Sequence, residues 1–340
     1  MSQTSQAKGR ENMSGQDISS YPPHFVQTSD SEPVGRVSNS SSPIIDDWDP
    51  LPCIDFQQLD PEEIGKACRD WGMFRLVNHG IPVELYAELQ EQAKKLLSLP
   101  FETKQAQLQS PMSYFWGTPA LTPNGETLSQ GVEIVYRMEG IFVLLNPLSQ
   151  MSGEDPMLKS FRNLLEEYGK HMGRLARFLF EALGKNVGMD PESSQPYLSE
   201  ATGLIRIYRY LQCPEVNKVE GLNAHTDSSV LSILNQDEVG GLQIFRDDKW
   251  IEIKPIANTL VVNVGDMLQA MSNDEYKSAT HRVMNKQKER ISVCYFVFPA
   301  DEGVIQSTKY KPFTYKEFEG HVQQDLKTIG VKVGLQRFRL

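Results

Sequence analysis

Near Gly203 the spacing of apolar residues changes from three-and-four to two, and that switch limits what the chain can fold into. From Pro156 to Leu183 the apolar positions Leu158, Phe161, Leu164, Leu165, Tyr168, Met172, Leu175, Phe178, Leu179 and Leu183 recur at helical spacing. This predicts one long helix with a single buried stripe, stopped at Gly184. After Gly203 the expected strands are Leu204 to Tyr210, Val230 to Leu234, Leu242 to Phe245, Trp250 to Lys254, Thr259 to Val264, Thr280 to Met284 and Ile291 to Phe298. Gly240-Gly241, Asp247-Asp248, Gly265-Asp266 and Asn285-Lys286 separate them as turns. Many short strands at this spacing point to a two-sheet roll or barrel.

Upstream, Leu51 to Asp55 and Met73 to Val77 read as strands, and Glu62 to Trp71 and Val83 to Leu97 as amphipathic helices. Ser110 to Gly131 holds many Pro, Gly, Ser and Thr residues and reads as a long loop, whereas Tyr315 to Leu326 returns to helical spacing. The expected class is α+β. A helical region over 46–200 supports a roll over 201–300, with a C-terminal extension over 301–340 packing on the core. Residues 1–45 are rich in Ser, Gln, Asn and Pro and too poor in large apolar groups to offset ordering entropy, so this tail is expected to be disordered.

A chain of 340 residues with 39% hydrophobic and 23% charged residues suits a soluble protein with a sizeable core. Its net charge of -10 disfavours nucleic acid and anionic membranes as partners, since phosphate contacts need a basic surface. The four cysteines show no CxxC spacing, which argues against a thiolate zinc site and for a reducing compartment. No apolar run is long enough for a membrane span, and the N-terminus lacks an apolar signal core. The cytoplasm is the expected location, with the nucleus left open. No feature points to an obligate protein partner.

His225-Thr226-Asp227 places an imidazole and a carboxylate two residues apart, on one face if the segment is an extended strand. Alone, such a pair is more often an incidental surface feature. His281, in Ser278-Ala279-Thr280-His281-Arg282-Val283, supplies a third candidate on a later strand that a roll could bring alongside. Two histidines and one carboxylate leave part of a metal's coordination sphere open, the arrangement of non-haem Fe(II) oxygenases. Arg290 and Ser292 share a face of the last strong strand, where a guanidinium and a hydroxyl can grip a carboxylate. The distal carboxylate of 2-oxoglutarate fits that demand. His79 reads as a turn residue, His24 falls in the tail, and His171 and His321 lie in helices; none is expected to be catalytic.

Together these segments resemble the plant 2-oxoglutarate/Fe(II)-dependent dioxygenases over residues 50–340. The matching motifs are Asp70-Trp71-Gly72-Met73-Phe74, Val77-Asn78-His79-Gly80-Ile81-Pro82, His225-Thr226-Asp227, Gly240-Gly241-Leu242-Gln243, Val262-Asn263-Val264-Gly265-Asp266, Ser278 to Val283 and Arg290-Ile291-Ser292. The resemblance implies a double-stranded β-helix, or jelly-roll, core with flanking N-terminal helices and a C-terminal helix. It implies iron at His225, Asp227 and His281, and 2-oxoglutarate at Arg290 and Ser292 with help from Tyr210. O2 is the second co-substrate and ascorbate a supporting reductant.

Within that family the chain is most similar to the gibberellin 2-oxidases of the C20 branch, through Tyr114-Phe115-Trp116-Gly117-Thr118-Pro119, Leu234-Asn235-Gln236-Asp237, Gly265 to Asn273 and Val333 to Phe338. The implied reaction is oxidation of a gibberellin-type diterpenoid, with 2β-hydroxylation of a gibberellin or precursor expected. Attack at another gibberellin position, or on another plant terpenoid or phenolic, is the alternative. A non-enzymatic receptor would not need all of the metal and carboxylate residues. Two departures bear on substrate choice. Tyr208 stands where the family usually has Asn, followed by Leu211 where Pro is common, and Gln130-Gly131-Val132-Glu133 replaces a family stretch in the long loop. Tyr114, Trp116, Tyr208 and Phe296 are the expected pocket residues.

Overall fold

In the computed structural model, which describes residues 18–22, 49–117, 138–151, 155–192, 194–213 and 219–340, the period-two segments form two facing sheets. The N-terminal elements are β1 (Cys53–Asp55), α1 (Pro61–Asp70), β2 (Met73–Val77), α2 (Val83–Leu97), α3 (Phe101–Gln107), β3 (Met112–Trp116), β4 (Met138–Leu144) and α4 (Pro156–Asn186). There follow β5 (Ser199–Tyr210), β6 (Glu220–His225), β7 (Leu231–Gln236), β8 (Leu242–Arg246), β9 (Lys249–Glu252) and β10 (Leu260–Val264). Then come α5 (Asp266–Met271), β11 (His281–Met284), β12 (Arg290–Phe298) and α6 (Tyr315–Thr328). The larger sheet has the order β1-β2-β10-β7-β12-β5-β4-β3 and the smaller β6-β11-β8-β9, a jelly roll with helices against one side. β1 and β2, both expected as strands, and β3 and β4, which were not, thus complete the larger sheet from the mainly helical region.

Alternation divides that sheet chemically. Cross-strand partners point to the same side, and the registers Tyr210 with Arg290, Tyr208 with Ser292 and Ser292 with Gln236 set one face. That face looks toward the smaller sheet. The opposite face carries Ile205, Ile207, Ile233, Ile291, Val293 and Val297, all buried in one core with Leu165, Tyr168, Met172 and Leu175 of α4. β-Branched residues suit this pleated, covered surface. Each such aliphatic or aromatic side chain contributes ~1.5–3 kcal/mol when fully buried, so the helix-facing side supplies most of the packing.

Three local expectations change. The long helix is capped by Asp155, whose carboxylate accepts from the Met157 N–H at 2.8 Å, but it runs past Gly184 to Asn186. The left-handed residue that ends it is Gly188, with φ of 69°. Ser110 to Gly131 is not loop throughout: β3 occupies part of it, and the remainder from 118 lies outside the described residues, as do Gln130 to Glu133. Most of the tail, including His24, also lies outside them. Its described piece, 18–22, is a short 3-10 turn and its edge, with Tyr21 buried against Trp116 at 6.0 Å between ring centroids.

Among the described residues no helix is long and apolar enough to cross a membrane, and no two of the four cysteines form a disulfide. One charged cluster interrupts the helix-facing side. Lys104 donates to Glu139 at 2.5 Å, Tyr114 donates to the same carboxylate at 2.7 Å, and Arg209 pairs with it from the next strand. Burial pushes the Lys104 ammonium down to about 8 against the pull of Glu139. Replacing Glu139 by Leu removes the carboxylate that both cations share, and the expected loss in urea unfolding is on the order of 3–5 kcal/mol. A loss below about 1 kcal/mol, the range of an exposed pair, would contradict this buried role.

Candidate metal and carboxylate site

The antiparallel pairing of β11 with β6 puts His281 directly across from His225. The two ring centroids are 4.4 Å apart. β6 ends at His225, so Asp227 does not continue the strand as expected; it lies in the following loop. The turn nevertheless brings Asp227 Oδ1 to 3.6 Å from His225 Nε2 and 3.8 Å from His281 Nε2. These separations are too long for hydrogen bonds and suit an ion between the groups. The three ligand atoms all lie within 4.8 Å of one another, and the cluster could hold a metal ion.

Neighbouring groups orient each candidate ligand. His225 Nδ1 sits 2.7 Å from the Asn223 carbonyl and His281 Nδ1 3.0 Å from the Ala279 carbonyl. A carbonyl only accepts, so both rings carry their proton on Nδ1 and leave the Nε2 lone pair free. Asp227 Oδ2 accepts from the Ser232 hydroxyl and from Asn263 Nδ2 at 3.3 Å. That leaves Oδ1 facing the two imidazoles. Burial would raise the Asp227 pKa, but His281, His225 and the Ser232 hydroxyl outweigh it and hold the carboxyl well below the usual carboxylate range. Burial lowers the pKa of His281 despite the pull of Asp227, favouring its neutral, ligating form.

Beside this cluster, on the inner face of the larger sheet, Arg290 is only 1% exposed. Its Nη1 donates to Ser292 Oγ at 3.1 Å and its Nη2 to Gln236 Oε1 at 2.8 Å, while the guanidinium lies over the Tyr210 ring at 4.8 Å. Arg290 Nε and Gln236 Nε2 are buried without hydrogen-bond partners. Among the described residues no carboxylate forms an ion pair with this cation, although its charge reaches Asp237, whose carboxylate accepts from the Ile291 N–H. A buried guanidinium with an unsatisfied Nε and only neutral hydrogen-bond acceptors is costly, so the site has the chemistry of a receptor for an incoming carboxylate. The residue set therefore fits a divalent metal at the cluster and a carboxylate at Arg290.

The expected pocket residues divide. Tyr208 and Phe296 lie on the inner face with Phe115, whose ring is 5.8 Å from Tyr208. Tyr114 and Trp116 flank Phe115 and project to the opposite side, toward Glu139 and Tyr21, so the structure removes both from the expected pocket. The remaining histidines stay apart from the site: His79 Nδ1 accepts from the Ile81 N–H at 3.3 Å, His171 neighbours Glu167 and Arg174, and His321 rests against Phe338. Sequence reasoning missed Ser232, Asn263 and Gln236. The available signal was a polar residue inside an apolar, covered strand, as in Leu260-Val261-Val262-Asn263-Val264.

Titration of metal-free protein with Co(II), followed by calorimetry, checks this arrangement. His225→Ala is expected to lose binding, His171→Ala to retain it, and Ser232→Ala to bind about 10–100-fold more weakly, the usual effect of freeing a ligand from its orienting partner. Unchanged affinity in His225→Ala would remove the metal site.

Comparison with known proteins is consistent with this geometry. Residues 201–299 match the family model described as 2OG-Fe(II) oxygenase superfamily, and residues 51–142 match that of the non-haem dioxygenase in morphine synthesis N-terminal. Gibberellin 2-beta-dioxygenase 8 of Arabidopsis thaliana is 35% identical over 283 residues, covering 82% of this chain and 80% of that protein. Gibberellin 2-beta-dioxygenase 6 of Oryza sativa subsp. japonica is 35% identical over 313 residues, covering 85% of this chain and 84% of that protein. The crystal structure of JOX2 in complex with 2OG, Fe and JA aligns with a TM-score of 0.70 at 27% identity, over 89% of this chain and 95% of that one. With a jelly roll, a two-histidine, one-carboxylate cluster and relatives of this similarity, the chain belongs to the 2OG-Fe(II) oxygenase superfamily.

Proposed function

We propose that this 2-oxoglutarate-dependent dioxygenase hydroxylates a gibberellin-type diterpenoid carboxylate, at the 2β position of a gibberellin or gibberellin precursor. His225, Asp227 and His281 hold Fe(II). Arg290 and Ser292 bind the distal carboxylate of 2-oxoglutarate, Gln236 orients the guanidinium and Tyr210 covers it. When bound, Fe(II) with 2-oxoglutarate and O2 supplies the oxidation: one oxygen atom goes to succinate as CO2 leaves, and the other to substrate as a hydroxyl. The protein's task is to place one C–H bond at the metal and keep water away.

Arg206 carries the substrate reading. It projects from β5 onto the inner face two residues from Tyr208, with the rings of Phe142 and Phe296 each 5.5 Å from its guanidinium. Its Nη1 is 3.5 Å from the Tyr208 hydroxyl, and its buried Nε has no hydrogen-bond partner. An aromatic chamber with one such cation suits an apolar, polycyclic molecule bearing a carboxylate. The similarity to gibberellin 2-beta-dioxygenases supports the same class of molecule. Tyr208 adds bulk beside the chamber and bears on which carbon faces the metal.

Mass spectrometry of products from a panel of C19 and C20 gibberellins, with succinate measured in parallel, tests the proposal. The expected product carries a new 2β-hydroxyl, formed in step with succinate. A hydroxyl elsewhere would overturn the position, and no conversion of any gibberellin would overturn the substrate class. Arg206→Met is expected to raise KM for the carboxylated substrate at least about tenfold, the scale of one lost charge-assisted hydrogen bond. The affinity for 2-oxoglutarate should change little. Arg290→Met should do the reverse, weakening 2-oxoglutarate.

A further inference from the structure

We propose that Lys332, in the C-terminal segment, is a positioning residue for the metal site. Asp227 lies in the loop between β6 and β7, where no strand ladder holds the backbone. Other contacts must fix it. Lys332 Nζ donates to the Thr226 carbonyl at 2.6 Å, to Ser228 Oγ at 3.3 Å and to Asp266 Oδ2 at 2.8 Å. These partners account for all three ammonium protons. Thr226 and Ser228 bracket Asp227 on both sides along the chain.

Asp266 completes the clamp. Its backbone N–H donates to the Asp227 carbonyl at 2.8 Å, and its side chain is 5% exposed against the ammonium. The next residue, Met267, donates its N–H to Ser229, and Gly265 donates to Val230. A Cβ at Gly265 would come 2.0 Å from the Ser229 carbonyl oxygen, so only glycine permits this approach. The loop is thus held by the start of α5 and by Lys332, which are themselves joined through Asp266.

Lys332 reaches this position because the segment around it is anchored independently. Val333 N–H donates to Asp325 Oδ2 at 3.0 Å, and Arg337 Nε to Asp325 Oδ1 at 2.8 Å, with Asp325 fully buried. Phe338 packs against Phe313 at 4.4 Å between centroids. Val331 and Val333, on either side, are 54% and 37% exposed, whereas the Lys332 side chain is 15% exposed. A lysine turned inward between outward-facing valines reverses the usual preference of both residue types. Its partners are the Thr226 carbonyl and Ser228 hydroxyl of the loop and the Asp266 carboxylate at the start of α5.

The inference rests on the metal assignment above, and calorimetric Co(II) binding to metal-free full-length protein separates the two. Lys332→Met is expected to bind Co(II) at least about tenfold more weakly, the effect of losing an outer-shell contact, and to alter the visible spectrum of the bound ion. Arg339→Met removes a C-terminal ion pair with Asp274 that does not touch the loop. It is expected to lower thermal stability while leaving Co(II) affinity at the parent value. Parent affinity in Lys332→Met, or an equal loss in Arg339→Met, overturns the positioning role. If His225→Ala also kept parent affinity, the metal assignment itself would fail. Should Lys332→Met not fold, Asp266→Asn carries the same comparison with the same two outcomes.

Discussion

Burying the carboxylate of Asp227 is the constraint around which the roll is arranged. At 7% exposure, an ionised carboxylate needs compensation from several directions. It receives two imidazoles from the smaller sheet and a hydroxyl and an amide from the larger one. The two sheets therefore meet at this group. The β6–β11 register that opposes His225 to His281 and the β7–β10 register that opposes Ser232 to Asn263 both serve it. A one-residue slip in either pairing would turn its partners to the wrong face.

The larger sheet separates stability from chemistry by its two faces. On the helix side, Ile and Val side chains and the Lys104–Glu139–Arg209 cluster lock the sheet to its helices. On the inner side, the same strands present Tyr208, Tyr210, Arg290 and Ser292, with polar atoms left unsatisfied at Arg290 and Gln236. Adjacent residues thus serve different ends: Arg209 braces the helix-facing core while Tyr208 and Tyr210 line the chamber. A rigid outer face lets the inner one keep costly, unpaired groups in place for ligands.

Much of this was legible in the sequence, and the failures have physical causes. The stripe of α4 and seven strands of the roll follow from apolar period, and the His225, Asp227 and His281 cluster from donor chemistry and spacing. β3 was hidden because its surroundings are rich in turn-forming residues. α5 was hidden because Met267, Leu268, Ala270 and Met271 are all buried, so no polar face marks a helical period. Tyr114 and Trp116 were misassigned because a strand's alternation is visible in sequence but its phase is not. Only the pairing of β3 with β4 shows that Phe115 faces inward. Lys332 meets the Asp227 loop, at Thr226 and Ser228, through a C-terminal segment more than a hundred residues away in the chain, beyond any local pattern.

The most direct measurement is X-ray diffraction at the iron absorption edge from crystals prepared without oxygen in Fe(II) and 2-oxoglutarate. The account predicts one strong anomalous peak bounded by His225 Nε2, Asp227 Oδ1 and His281 Nε2, with density for 2-oxoglutarate running from it to Arg290 and Ser292. An iron peak bound elsewhere, or 2-oxoglutarate density that does not reach Arg290, would contradict it.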